Sequence, residues 1–176
     1  MSSLFYRISK RNIIFLGNRY SMRLILVRHG EADPDRSGND ALRQLTPVGH
    51  KQAALTAKYI AENFKPDLFV VSPYIRAQQT LAHIQDLYPD VPMQVYQDIR
   101  PDDPAAPAVQ WLSNLTNETV VVVCHMNIIA YIAALLTEDA AESFALAEAR
   151  VYEHPVIMAG LSEEKARFVP QVESQY

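Results

Sequence analysis

The sequence predicts an α/β protein, a three-layer α/β/α sandwich around a mostly parallel central sheet. Three observations carry this. Continuous apolar runs lie within Arg23–Val27, Leu68–Val71 and Thr119–Val123, as suits strands buried on both faces. Stretches with apolar residues at helical spacing separate them. The chain has 176 residues, 49% hydrophobic and 20% charged, which suffices for one domain with its own core.

Taken in order, Arg23–Val27 is the first strand and runs into Arg28-His29-Gly30. Residues 31–45 are polar, contain Pro34, Gly38 and Asn39, and read as a loop. Thr46-Pro47 supplies an N-cap and a proline at the first helical position, and Val48, Leu55 and Tyr59 mark the apolar side of a helix to about Asn63. Leu68–Val71 is the second strand. Ser72-Pro73 repeats the cap-and-proline signal, and Ala77, Leu81, Ile84 and Tyr88 share one face of the helix behind it. Met93–Tyr96 reads as a short third strand. A proline-rich turn (Pro101, Pro104, Pro107) leads into a short helix through Trp111, Leu112 and Leu115. Thr119–Val123 is the strongest strand, closed by Cys124-His125, and Ile128–Leu136 is the helix behind it. In the tail, Arg150–Tyr152, Val156–Leu161 and Arg167–Val169 are each strand candidates.

Composition removes several function classes. A net charge of −4 argues against a general nucleic-acid binder, which carries a basic excess. A single cysteine, Cys124, excludes an intramolecular disulfide framework and a cysteine-cluster zinc site; it reads as a buried small hydrophobe rather than an oxidation-sensitive thiol. No apolar run is long enough to span a bilayer, so a cytoplasmic protein is expected. The five glycines fit neither dinucleotide-binding nor P-loop spacing. Any phosphate must therefore be held mostly by side chains.

The segment 1–21 carries Arg7, Lys10, Arg11 and Arg19 and no acid, and Met22 stands directly before the first strand. It reads as a poorly ordered extension arising from an upstream start, with the folded domain occupying residues 22–176. Its apolar run Ile13–Leu16 is too short for a secretory signal, although a basic arm touching an acidic partner is a further reading.

Two histidines end strands: His29 follows the first and His125 the strongest. In open α/β sheets ligands bind beyond the carboxyl ends of the strands, so both rings converge on one crevice if those strands are neighbours. Arg28 precedes His29, and Arg76 lies in the first turn after the second strand. Two guanidiniums, two imidazoles and helix N-termini suit a tetrahedral oxyanion. A metal fits poorly: the sequence has no His-x-x-x-His and the arginines would repel a cation. The remaining histidines, His50, His83 and His154, read as surface or satisfied core residues.

Arg28-His29-Gly30-Glu31-Ala32 resembles the RHG signature of the histidine phosphatase, or phosphoglycerate-mutase-like, superfamily. Leu45-Thr46-Pro47-Val48-Gly49-His50-Lys51-Gln52-Ala53 is similar to its LTxxGxxQA segment, and Ser72–Thr80 to its SPxxRAxQT segment. Val121–His125 resembles its strand bearing the second histidine, with Cys124 where Gly or Ser is common. The small size and lack of a long insertion resemble the SixA-type branch of bacterial phosphohistidine phosphatases. The resemblance implies a phosphoglycerate-mutase-like fold, no cofactor, His29 as the phosphorylated nucleophile, and Arg28, Arg76 and His125 as phosphoryl ligands. It also implies a phosphohistidine-bearing protein substrate, such as a phosphotransfer domain of a sensor kinase.

Many members carry a glutamate general acid after the third strand. Here the register offers Asp98, with Asp102 and Asp103 as the other candidates, and all three also read as solvated loop carboxylates. Glu31 reads as a structural group. A phosphohistidine needs less help from an acid, because its leaving imidazole has a pKa near neutrality. No long segment is available as a lid, which suits a shallow site open to a protein side chain. The alternatives are a broad small-molecule phosphomonoesterase or mutase using the same residues, and a non-catalytic phosphate-binding module.

Overall fold

In the computed structural model, which describes residues 22–34, 38–154 and 157–172, six strands form one sheet. They are β1 (Met22–Arg28), β2 (Leu68–Val71), β3 (Met93–Val95), β4 (Thr119–Cys124), β5 (Ala149–His154) and β6 (Glu163–Phe168), in the order β3-β2-β4-β1-β5-β6. The first four run parallel, and β5 pairs antiparallel with both β1 and β6. The helices are α1 (Pro47–Asn63), α2 (Ile75–Gln85), α3 (Ala105–Leu112) and α4 (Ile128–Thr137), with a 3₁₀ turn at Asp40–Leu42.

Successive residues of a strand face opposite sides of the sheet, and the apolar runs supply both sides. Ile25, Val27, Phe69, Val71, Val121 and Val123 face α1 and α2 through Ala57, Ile60, Ala77, Leu81 and Ile84. Leu24, Leu26, Val70, Val120 and Val122 face α3 and α4 through Val109, Leu112, Ile128, Ile132 and Leu136. Helices therefore cover both faces, giving the predicted three layers. Connections that step one way along the sheet put their helices on one face, and those that return use the other, as right-handed crossovers require.

Several local expectations need correction. The buried side of α1 is Gly49, Ala53, Thr56, Ala57 and Ile60, whereas Val48 and Leu55 are exposed. Small side chains bring this helix close to the loop after β1, and that contact outweighs burial of the larger residues. The α2 helix begins at Ile75 with no side-chain cap, so Ser72 is not its N-cap. The α3 helix ends at Leu112, and Leu115 packs against the core beyond it. Residues 157–161 form no strand, whereas Arg150–Tyr152 lies within β5 and most of Arg167–Val169 overlaps β6. Val156 and segment 1–21 fall outside the described residues. Cys124 is fully buried, and burial pushes its thiol up to about 12. No helix among the described residues is long and apolar enough to cross a membrane.

Candidate active site

Register decides which strand ends meet. Arg28 pairs with Cys124 across β1 and β4, and Val71 with Val123 across β2 and β4. The next residues are held by the same ladder: His29 N–H donates to the Cys124 carbonyl (3.0 Å) and Ser72 N–H to the Val123 carbonyl (3.1 Å). His29, Ser72 and His125 are thus adjacent at the carboxyl edge of three central strands. The His29 and His125 rings lie 5.1 Å apart. Arg28, His29 and Arg76 line a cleft of about 420 Å³ together with Glu31, Asp40 and Arg43.

His29 is set for nucleophilic use by its first partner. Its Nδ1 lies 2.7 Å from the Gly30 carbonyl oxygen. A carbonyl only accepts, so Nδ1 carries the proton and Nε2 keeps a lone pair. Arg76 Nε donates to that nitrogen at 3.2 Å. Burial lowers the His29 pKa to about 4, and the charges of Arg76, Arg28 and Arg43 add to the shift against the opposing pull of the Gly30 hydrogen bond. Burial first, and the cations after it, keep the ring neutral well into the acidic range. His125 is also driven low, to about 2, first by burial and then by His29 and Arg76.

The first two sequence motifs interlock around His29. Glu31 N–H donates to Gln52 Oε1 (2.8 Å), and Thr46 N–H donates to the Glu31 carbonyl (3.0 Å). Thr46 Oγ1 accepts from Gly49 N–H (3.0 Å) and donates to Glu31 Oε1 (2.6 Å), so the helix cap also fixes the Glu31 side chain. Gly30 and Gly49 let the two backbones touch: a Cβ on Gly49 would sit 2.0 Å from the Glu31 carbonyl oxygen. From α2, Thr80 Oγ1 accepts from Gly30 N–H (3.1 Å).

Four residues escaped sequence reasoning. Ser72 Oγ lies 2.6 Å from His125 Nε2, while His125 Nδ1 is buried without a partner among the described residues. Asp40, in the loop read only as polar, binds Arg76 through its carboxylate (Nη2–Oδ2 2.9 Å) and its carbonyl (Nη1–O 2.6 Å). Arg43 reaches the other Asp40 oxygen at 3.0 Å. Burial favours the protonated Asp40, but the hydrogen bonds and charges of Arg43 and Arg76 together hold it below the usual carboxylate range. The spacing Asp40-x-x-Arg43 is the one sequence signal that pointed there. Tyr74 packs on His125 (ring centroids 5.1 Å) and under the Arg76 guanidinium at 5.0 Å.

Asp98 is exposed and does not line the cleft. Asp103 accepts from the Arg100 backbone and guanidinium (2.7 and 3.0 Å). Among the described residues, the carboxylates that line the cleft are Glu31 and Asp40, and each is already bonded. Among the described residues, no cluster of three or more potential metal ligands occurs.

Residues 24–100 match the histidine phosphatase superfamily (branch 1). The chain is 30% identical over 127 residues to the phosphohistidine phosphatase SixA homolog of Haemophilus influenzae, covering 65% of this chain and 77% of that one. It is 30% identical over 121 residues to phosphohistidine phosphatase SixA of Escherichia coli, covering 65% and 74%. A solved structure of the protein histidine phosphatase SixA complexed with tungstate shares the fold, with a TM-score of 0.74 at 22% identity over 84% of this chain and 97% of that one. Relatives that align across most of their own length place the chain in the histidine phosphatase superfamily, on its SixA-type branch.

Proposed function

We propose that this protein hydrolyses phosphohistidine on a partner protein through a phosphorylated His29. The observation that carries the reading is the fixed tautomer of His29, whose Nδ1 is spent on Gly30 and whose Nε2 lone pair stands beside Arg76 at the cleft. Nε2 attacks phosphorus while the bond from phosphorus to the substrate imidazole breaks. That imidazole departs neutral when its other nitrogen already carries a proton, so the cleft need not supply one. Phosphorylated His29 keeps its Nδ1 proton and is itself a good leaving group. Water then attacks phosphorus, the electron pair returns to Nε2, and the water proton leaves with the phosphate.

Arg28 and Arg76, which line the cleft, stabilise the phosphoryl oxygens, and Arg76 is held for this by Asp40; His125, wholly buried with Nε2 on Ser72, takes its role as the third phosphoryl ligand from the family resemblance. Glu31 and Asp40 are both committed to partners, and Asp98 is outside the cleft lining. This environment favours an imidazole leaving group over an alkoxide, which needs a proton at the oxygen. Asp98 stays a candidate donor for ester substrates only. The partner we propose is a phosphotransfer domain of a sensor kinase, met in the cytoplasm.

The test offers the enzyme a labelled phosphotransfer domain, a sugar phosphate and a phosphoserine peptide. Release from phosphohistidine is expected to be the fastest, with acid-labile label trapped on the enzyme. His29→Ala should abolish both release and trapping. Comparable rates on all three substrates would favour the broad phosphomonoesterase; near-full activity of His29→Ala would remove His29 as nucleophile; a stable complex without release would indicate a binding module.

A further inference from the structure

The turn before β5, which adds Leu146 to the cleft lining, grips Arg28 and His29. Arg28 N–H donates to the Glu148 carbonyl and Ala147 N–H to the His29 carbonyl, both at 3.1 Å. Arg28 Nη1 donates to the Phe144 carbonyl at 2.6 Å. Residues 144–148 therefore hold the backbone of this dipeptide and one arm of its guanidinium. Arg28 Nε is buried and unpartnered among the described residues.

The turn owes its shape to a buried ion pair. Glu148 and Arg150 are 3% and 2% exposed. Glu148 Oε1 accepts from Arg150 Nε (2.6 Å) and Oε2 from Ala145 N–H (2.5 Å). Arg150 Nη2 donates to the Ser143 carbonyl (2.7 Å), and its guanidinium carbon lies 3.8 Å from the Phe144 ring centroid. Ala147 sits at φ 54°, a region that favours glycine, and Thr56 Oγ1 ties its carbonyl down at 2.7 Å. A buried ion pair adds little stability over well-packed apolar side chains, so its presence here calls for another reason. The pair clamps the residues on both sides of the carbonyl that holds Arg28.

We propose that Glu148 and Arg150 are positioning residues that aim the Phe144 carbonyl, and through it the Arg28 guanidinium, at the phosphoryl group. This rests on the cleft being a phosphate site. Neither residue touches the substrate; their effect passes through Arg28.

Tungstate binding by calorimetry tests this on the full chain in a double-mutant cycle. Arg150→Met is expected to weaken binding roughly tenfold, equivalent to about 1.4 kcal/mol. In an Arg28→Ala background the same change should cost nothing further, because the residue it acts through is gone. Arg150→Lys keeps the charge without the fork and should fall between. If Arg150→Met does not fold by circular dichroism, Glu148→Gln enters the same cycle. Additive losses, or full tungstate affinity in folded Arg150→Met where Arg28→Ala weakens it, would overturn the inference alone. Wild-type protein that binds no tungstate would overturn the phosphate-site reading as well.

Discussion

Replacing Gly49 by alanine sets two effects against each other. Gly49 lies in the first turn of α1, where alanine is the better helix former by up to about 1 kcal/mol. The added Cβ would meet the Glu31 carbonyl oxygen at 2.0 Å and the Glu31 carbon and nitrogen at 2.9 and 3.0 Å. All three are backbone atoms and cannot swing aside like the end of a side chain. Overpacking of this kind costs roughly 1–3 kcal/mol, so a net loss of about 1–2 kcal/mol is expected. For a chain of this size that lowers Tm by roughly 2–8 °C. The same clash moves the backbone two residues from His29. A shift approaching 1 Å at a reacting group costs on the order of 100-fold, so activity should fall further than stability does. Thermal melts paired with phosphohistidine hydrolysis measure both. A Gly49→Ala protein as stable and as active as the wild type would refute the argument that the two motifs interlock through backbone contact.

Two further outcomes follow from the same geometry. His29 has a folded pKa of about 4, below the ordinary 6.5, so the unfolded chain binds the extra proton first. Stability is therefore full above about pH 6.5 and lost as pH falls toward 4, by about 3 kcal/mol for this residue; urea denaturation across that range should show a shallower slope in His29→Gln. By the same shift, kcat/KM should not fall at pH 6.5 through protonation of His29, and a pH profile checks this. Ser72→Ala leaves His125 Nε2 buried without its 2.6 Å partner, and is expected to cost about 1–3 kcal/mol in a urea melt. An unchanged midpoint would mean that Ser72 does not hold the ring.

The sequence by itself determined the layers, the parallel strands and the strand-end placement of His29, His125 and Arg76, because uninterrupted apolar runs and cap signals are local and periodic. It also left any phosphate to be held mostly by side chains, since the glycines matched no phosphate-binding spacing. Long-range contact decided the rest. Val48 and Leu55 gave α1 its predicted face, yet the close approach of Gly49 to Glu31 turned the small residues inward. Ser72 looked like a cap and instead holds His125, because the β2–β4 register brings it there. Asp40 meets Arg76 across 36 positions of chain, and the side chains of Glu148 and Arg150 shape the turn whose Phe144 carbonyl holds the Arg28 guanidinium. Such partnerships depend on the folding of intervening segments and leave no periodic trace in the residues that make them.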